Sequence, residues 1–361
     1  MRHLILLISL YIFCCCSATN SDINYKSTDY YFDTAEDIYG IQLKENYPVM
    51  FSFDCFYTSY GFFGSMDIKE KGLVHLANLE TGDIISSVCH KGRGPNELLT
   101  CTPHIDIFRN TLFVFDMVTD KIKKVDILED SLVVHEVTKI HYNKPTITAN
   151  AKVINDSLYV IFGALQDSHK LLLCDHNGSI LSDIDYHILD DRNLDFSKVG
   201  TFYISMCMSP CRKYLYICDK TFNRIKKYKI ENNLIKEIST FHLTEPKYSI
   251  KKGKLVVEES NMKFNGNIFI SEEYIYIVAN PETRKDFLNR FQLAQKLGNR
   301  VTALPDKNSY LLVFNHNLDL LNSYQCDSQF ESIVLTSDPH IIYAADYNSH
   351  GLTKYILHGL S

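Results

Sequence analysis

A repeat constrains this 361-residue chain more than any other feature. A turn-type cluster, an apolar pair and a short β-run occur at Arg109-Asn110-Thr111-Leu112-Phe113-Val114-Phe115 and again at Asn155-Asp156-Ser157-Leu158-Tyr159-Val160-Ile161. The pattern returns from Arg212 to Cys218, from Glu272 to Val278 and from Asp338 to Ala344. Its anchors Leu112, Leu158, Leu215, Ile275 and Ile342 stand 46, 57, 60 and 67 residues apart, and a weaker copy around Met66-Asp67-Ile68 lies 46 residues before Leu112. Units of this length, each with room for four short strands, are the mark of propeller blades. One blade alone cannot bury both faces, whereas six around an axis cover one another. The expected fold class is therefore all-β: a six-bladed β-propeller with about four antiparallel strands per blade.

Three units share more detail. Asp116, Asp219 and Asp346 end their β-runs, with an apolar residue six positions later (Ile122, Ile225, Leu352) and a lysine eight later (Lys124, Lys227, Lys354). A strand that ends in Asp before a polar loop predicts a hairpin whose carboxylate accepts backbone N–H groups of the turn. The rival reading, a ring of carboxylates around a metal, fits their constant place beside a turn less well. A strand from the N-terminal segment would close the ring in the last blade, and residues 38–43 are expected to supply it. One stretch departs from the repeat. Residues 283–299 carry Phe287, Leu288, Phe291, Ala294 and Leu297 at helical spacing before Gly298, which predicts a short helical insertion in the fifth blade.

Composition narrows the function classes. The 23 Tyr and 21 Phe favour strands, and the net charge of −6 argues against a nucleic-acid partner. At the N-terminus, Arg2 and His3 precede an apolar run from Leu4 to Phe13, which reads as a secretory signal too short to cross a bilayer core of about 30 Å. Cys14-Cys15-Cys16 follows, and Cys16, ahead of Ser17 and Ala18, is the expected lipid acceptor of a bacterial lipoprotein. Cleavage near Ala18 to a soluble product is the alternative. The organisation expected is a signal peptide over 1–16, a polar tether over 17–36 and one propeller domain over 37–361. Of the other eight cysteines, none forms a CxxC pair, and most sit in strand-like apolar runs where a thiol packs as a small hydrophobe. The histidines show no HExxH pattern, and the Ser-His pairs lack a nucleophile-elbow context.

Gly72-Leu73-Val74-His75-Leu76, the turn Thr81-Gly82-Asp83 and Lys91-Gly92-Arg93-Gly94-Pro95-Asn96-Glu97 together resemble the TolB-like six-bladed propeller lipoproteins of Bacteroidota, with NHL-like blades. Tyr274-Ile275-Tyr276, Leu312-Val313-Phe314-Asn315 and Ile342-Tyr343-Ala344-Ala345 agree, so the resemblance spans most of residues 45–358. It implies a fold and a cell-envelope location, lipid-anchored in the outer membrane or at the cell surface, without an established activity.

The Gly92–Glu97 element has glycines that let backbone N–H groups approach an anion, but it lacks the GK[ST] of a P-loop. A tight loop between blades, held by Arg93 or Glu97, is the better reading. Polar loops on rigid scaffolds often carry function, so Arg93, Asn96 and Glu97 are the candidate ligand-binding residues. No catalytic residue, metal ligand or cofactor is assigned. The expectation is a non-catalytic binding or scaffold module for an envelope protein or glycan. The alternative is a metal-dependent propeller hydrolase or lyase with its site in the central channel.

Overall fold

The structure is a computed structural model that describes residues 28–44, 51–57, 60–65, 72–99, 104–109, 111–128, 131–141, 146–165, 168–186, 204–220, 222–244, 247–251, 254–258, 262–263, 267–280, 282–297, 308–346 and 351–360. Among them are six sheets of four or more strands, each with an antiparallel four-stranded core. The second, for example, runs from its innermost strand His104–Phe108 through Thr111–Asp116 and Lys121–Leu128 to its outer strand Ser131–Lys139. Every anchor of the sequence repeat lies in the second strand of a blade: Leu112, Leu158, Leu215, Ile275 and Ile342. The weak first copy is corrected. Blade one has its second strand at Tyr60–Ser65, and Met66-Asp67-Ile68 falls outside the described residues.

The reason the second strands read as unbroken apolar runs is that both of their faces are buried. Leu112 and Val114 pack toward the first blade with Leu76 and Leu98, while Phe113 and Phe115 pack toward the third with Tyr159 and Ile161. Six such hydrophobic clusters occur among the described residues, one between each successive pair of blades. The cluster joining Val334, Tyr343 and Leu352 of the last blade to Ala77 and Leu79 of the first completes the ring.

Closure is shared more widely than the sequence suggests. Ile41–Lys44 pairs with Gly351–Ile356 as the outer strand of the sixth blade, as expected of this segment. Glu36–Ile38, however, pairs parallel with Leu320–Cys326 and becomes a fifth strand of blade five. Between them, the Gly40 amide donates to the Asp327 carboxylate, which holds the crossing. Thr28–Asp33, within the stretch expected as a tether, is a short helix whose Tyr31 is buried with Phe314 and Leu312.

The helical insertion lies at Arg284–Leu297, between the second and third strands of blade five. A reciprocal cap starts it: the Asp286 amide donates to Thr283 Oγ1, and the Thr283 amide to Asp286 Oδ2. Arg290 reaches back to Glu282, its Nη2 donating to both carboxylate oxygens at 2.7 and 2.9 Å. The hairpin role of the strand-end aspartates also holds where it is described. Asp116 Oδ1 accepts from the Val118 amide and Asp219 Oδ1 from the Phe222 amide, whereas the Asp346 side chain lies outside the described residues.

Candidate functional site

The meander gives the ring two faces. Innermost strands begin at the upper face, together with the links between blades and the turns between second and third strands. The turns after each innermost strand lie at the lower face.

The Gly92–Glu97 loop is an upper-face link between blades one and two. It is a clamp built on its own residues. His90–Lys91 pairs parallel with Glu97–Leu98, and the Gly92 amide donates to the Leu98 carbonyl. The Glu97 carboxylate turns inward and accepts from the Gly94 amide at 2.6 Å. A side chain at Gly92 would meet that carboxylate, since its Cβ would stand 2.0 Å from Glu97 Oε2. From below, the buried Lys123 ammonium donates to the Pro95 carbonyl at 2.7 Å and to the Glu97 carbonyl. Its pKa is lowered, because burial outweighs the nearby negative charges. The Leu99 amide completes the hold by donating to Asp116 Oδ2 at 2.9 Å. Of the three candidate residues, Glu97 is therefore occupied inside the loop. Arg93 and Asn96 are exposed at its tip. Cys16 lies outside the described residues.

A second polar constellation sits in the lower half of the central channel, where strand order brings together residues that are far apart in sequence. Asp106, from the innermost strand of blade two, is buried and accepts four hydrogen bonds. Two come from Arg212, at 2.7 and 3.2 Å, one from the Val153 amide at 2.9 Å and one from the Ile107 amide at 2.9 Å. Burial alone would raise the Asp106 pKa, but the charges of Arg212 and Lys152 and these hydrogen bonds hold it below the usual carboxylate value. Arg212 belongs to the lower-face turn of blade four, so its guanidinium spans blade three to reach its partner, donating on the way to the Val153 and Ile107 carbonyls. Its left-handed backbone, φ 56°, is shared by Arg109 at the equivalent turn of blade two and so belongs to the hairpin.

Beside this ion pair is a cavity of about 70 Å³. Its polar wall includes Asp106, Lys152, Cys207 and Arg212, and its apolar wall includes Met208, Phe269, Ile270 and Leu335, drawn from the innermost strands of blades four, five and six. Lys152 donates to the Ile105 carbonyl at 3.3 Å. Burial pushes the Cys207 thiol up, so it stays protonated at neutral pH. The repeat hid these residues because charge inside a short apolar run looks like noise. The informative signal was Asp106 within His104-Ile105-Asp106-Ile107-Phe108, a carboxylate where blade packing demands apolar groups.

Cys89, Cys174, Cys218 and Cys326 are buried free thiols, Cys207 is half-buried and Cys211 exposed, all unpaired. Among the described residues no group of three His, Cys, Asp or Glu stands close enough to hold a metal. Asp116 and Asp219, the two described members of the carboxylate ring weighed above, are engaged in their turns, Asp219 also facing Arg224 at 3.5 Å.

A sequence match to the family described as TolB-like 6-blade propeller-like covers residues 43–338. The chain belongs to this family. Solved structures agree on the fold of this TolB-like propeller. A member of the DUF4221 family from Bacteroides vulgatus is 13% identical with a TM-score of 0.57, over 89% of this chain and 96% of that one. A putative exported protein from Bacteroides fragilis is 9% identical, also at 0.57, over 92% and 98%. A calcium-binding regucalcin from Agrobacterium tumefaciens is 12% identical at 0.50, over 90% and 95%. At these identities the likeness is one of fold. No curated protein matches the chain.

Proposed function

We propose that this TolB-like propeller is a non-catalytic binding module of the cell envelope, anchored through a lipid on Cys16 and holding a protein or glycan partner at its upper face. The observation that carries this reading is the clamped loop. Arg93 and Asn96 are exposed, yet the backbone beneath them is held by Glu97, Lys123 and Asp116. A loop already ordered in its binding geometry avoids the entropy that a flexible loop loses on association. A guanidinium beside a carboxamide suits a partner that offers carboxylates or clustered hydroxyls. Six interlocked blades supply the rigid platform. The lipid anchor accounts for the short apolar N-terminal run that ends in cysteines.

Crosslinking in intact cells tests the site. The Arg93→Ala, Asn96→Ala double variant should lose the partner captured by the parent chain while keeping its circular dichroism spectrum and melting point. Capture at the parent level by the double variant would refute the loop as the docking site. The anchor has its own test: Cys16→Ser should move the protein from the membrane fraction to the soluble one, and unchanged fractionation would exclude Cys16 as the acceptor.

A further inference from the structure

The lower channel has an imbalance that the loop does not explain. Among the described residues, Arg212 and Lys152 bring two positive charges to the cavity wall and Asp106 one negative, a net positive charge in a partly apolar enclosure. Charge in such surroundings calls for a counter-charge. Arg212 is turned to Asp106 and to the Val153 and Ile107 carbonyls. Lys152 is different. Its ammonium has three donors, and the bond it makes to the Ile105 carbonyl is a long one of 3.3 Å. Across the ring from Asp106 and Lys152, whose strands belong to blades two and three, are Phe269 of blade five and Leu335 of blade six, so the cavity has a charged side and an apolar side.

We propose that this cavity is a binding site for a small organic monoanion: a carboxylate held by Lys152, with a short aliphatic tail against Phe269 and Leu335. Its volume, about 70 Å³, is roughly half that of the ~150 Å³ apolar cavity that admits benzene. On the scale of benzene's six carbons this encloses about three carbons, the tail of butyrate, with the carboxylate beside Lys152 at the cavity wall. The ligand enters from the lower face, where Pro210 is exposed at the rim, on the side opposite the Arg93 loop. The two sites are therefore independent, and neither needs the other to be correct.

Calorimetric titration of the full chain with butyrate and with butyramide, its uncharged isostere, tests the proposal. Butyrate should bind saturably and butyramide at least tenfold more weakly. Lys152→Met, which keeps the stem and removes the charge, should weaken butyrate binding tenfold or more, while Arg93→Ala leaves it unchanged. Equal binding of acid and amide, full affinity in Lys152→Met, or no saturation by butyrate at about 10 mM would each overturn the site. If Lys152→Met does not fold, Cys207 provides a second reading. In a Cys211→Ser chain, butyrate but not butyramide should slow alkylation of Cys207 as read by peptide mapping, and equal rates with the two compounds would overturn the proposal.

Discussion

Arg212, in a turn of the fourth blade, holds Asp106 of the second blade at 2.7 Å across the full width of the third. Asp106 is buried and Arg212 half-buried, with side-chain exposures of 9% and 17%, and the pair donates or accepts at three blades. Removing one partner strands a buried charge, whereas removing both does not. Asp106→Leu or Arg212→Met alone should cost about 3–5 kcal/mol, and the double change Asp106→Leu with Arg212→Met much less than the sum. Guanidinium-chloride midpoints of the four chains measure the coupling. Additive losses would show that the bridge does not act as a unit.

His75 makes stability depend on acidity. It pairs with Ser87 across blade one, Nδ1 to Oγ at 2.8 Å, and burial drives its pKa down from 6.5 to about 4 despite a backbone bond at Gly72. The folded value is the lower one, so the unfolded chain takes up the proton first. The contribution is complete above pH 6.5 and is lost as pH falls from there toward 4, an effect of about 3 kcal/mol. Denaturation curves at pH 7, 5.5 and 4.5 should fall less steeply for His75→Gln than for the parent. Parallel slopes would rule His75 out as a source of acid sensitivity.

Gly178 carries the joint between blades two and three. At φ +81°, its missing Cβ would sit 1.9 Å from the Lys139 carbonyl oxygen, and its own carbonyl accepts the His141 amide. Gly359 is a natural control, with a φ of +74° but its nearest neighbour, Asn322 Nδ2, at 3.4 Å. Gly359→Ala should cost about 1 kcal/mol from the left-handed backbone, and Gly178→Ala distinctly more because backbone must also move. Equal losses in thermal melts would mean that the clash relaxes freely.

Lys123 pins the upper-face loop by donating to two of its carbonyls. Lys123→Met should raise amide hydrogen exchange across residues 92–98 and cost about 1–3 kcal/mol. By contrast, Arg93→Ala and Asn96→Ala, at exposed positions, should each stay within about 0.5 kcal/mol. Protection that survives Lys123→Met would place the rigidity of the loop in Glu97 and Asp116.

Deleting the chain through Lys44 would remove both N-terminal strands. The outer edge of Gly351–Ile356 would then be unpaired, as would that of Leu320–Cys326. Exposed edges of this kind recruit other chains, so the truncated protein should aggregate on light scattering where the full chain does not. A monodisperse truncation would show that closure by these strands is dispensable.

The blades were legible in the sequence because a second strand with both faces buried needs an unbroken apolar run, and Leu112-Phe113-Val114-Phe115 shows one directly. The insertion helix was legible for the same reason, through a period in the side chains. The candidate loop was visible as a glycine-rich oddity, but its character was not. That Glu97 is consumed internally while Arg93 and Asn96 stand free of the clamp follows from Lys123 and Asp116, which approach from another part of blade two. Asp106 and Arg212 were invisible as a pair, since 106 positions separate them and no local pattern links a strand centre to a distant turn. Local periodicity, set by backbone geometry and the burial of one strand, was determined by the sequence alone. Which charges meet in the channel was decided only when the ring closed, because contacts between blades depend on the rotation of each sheet about the axis and not on neighbours along the chain.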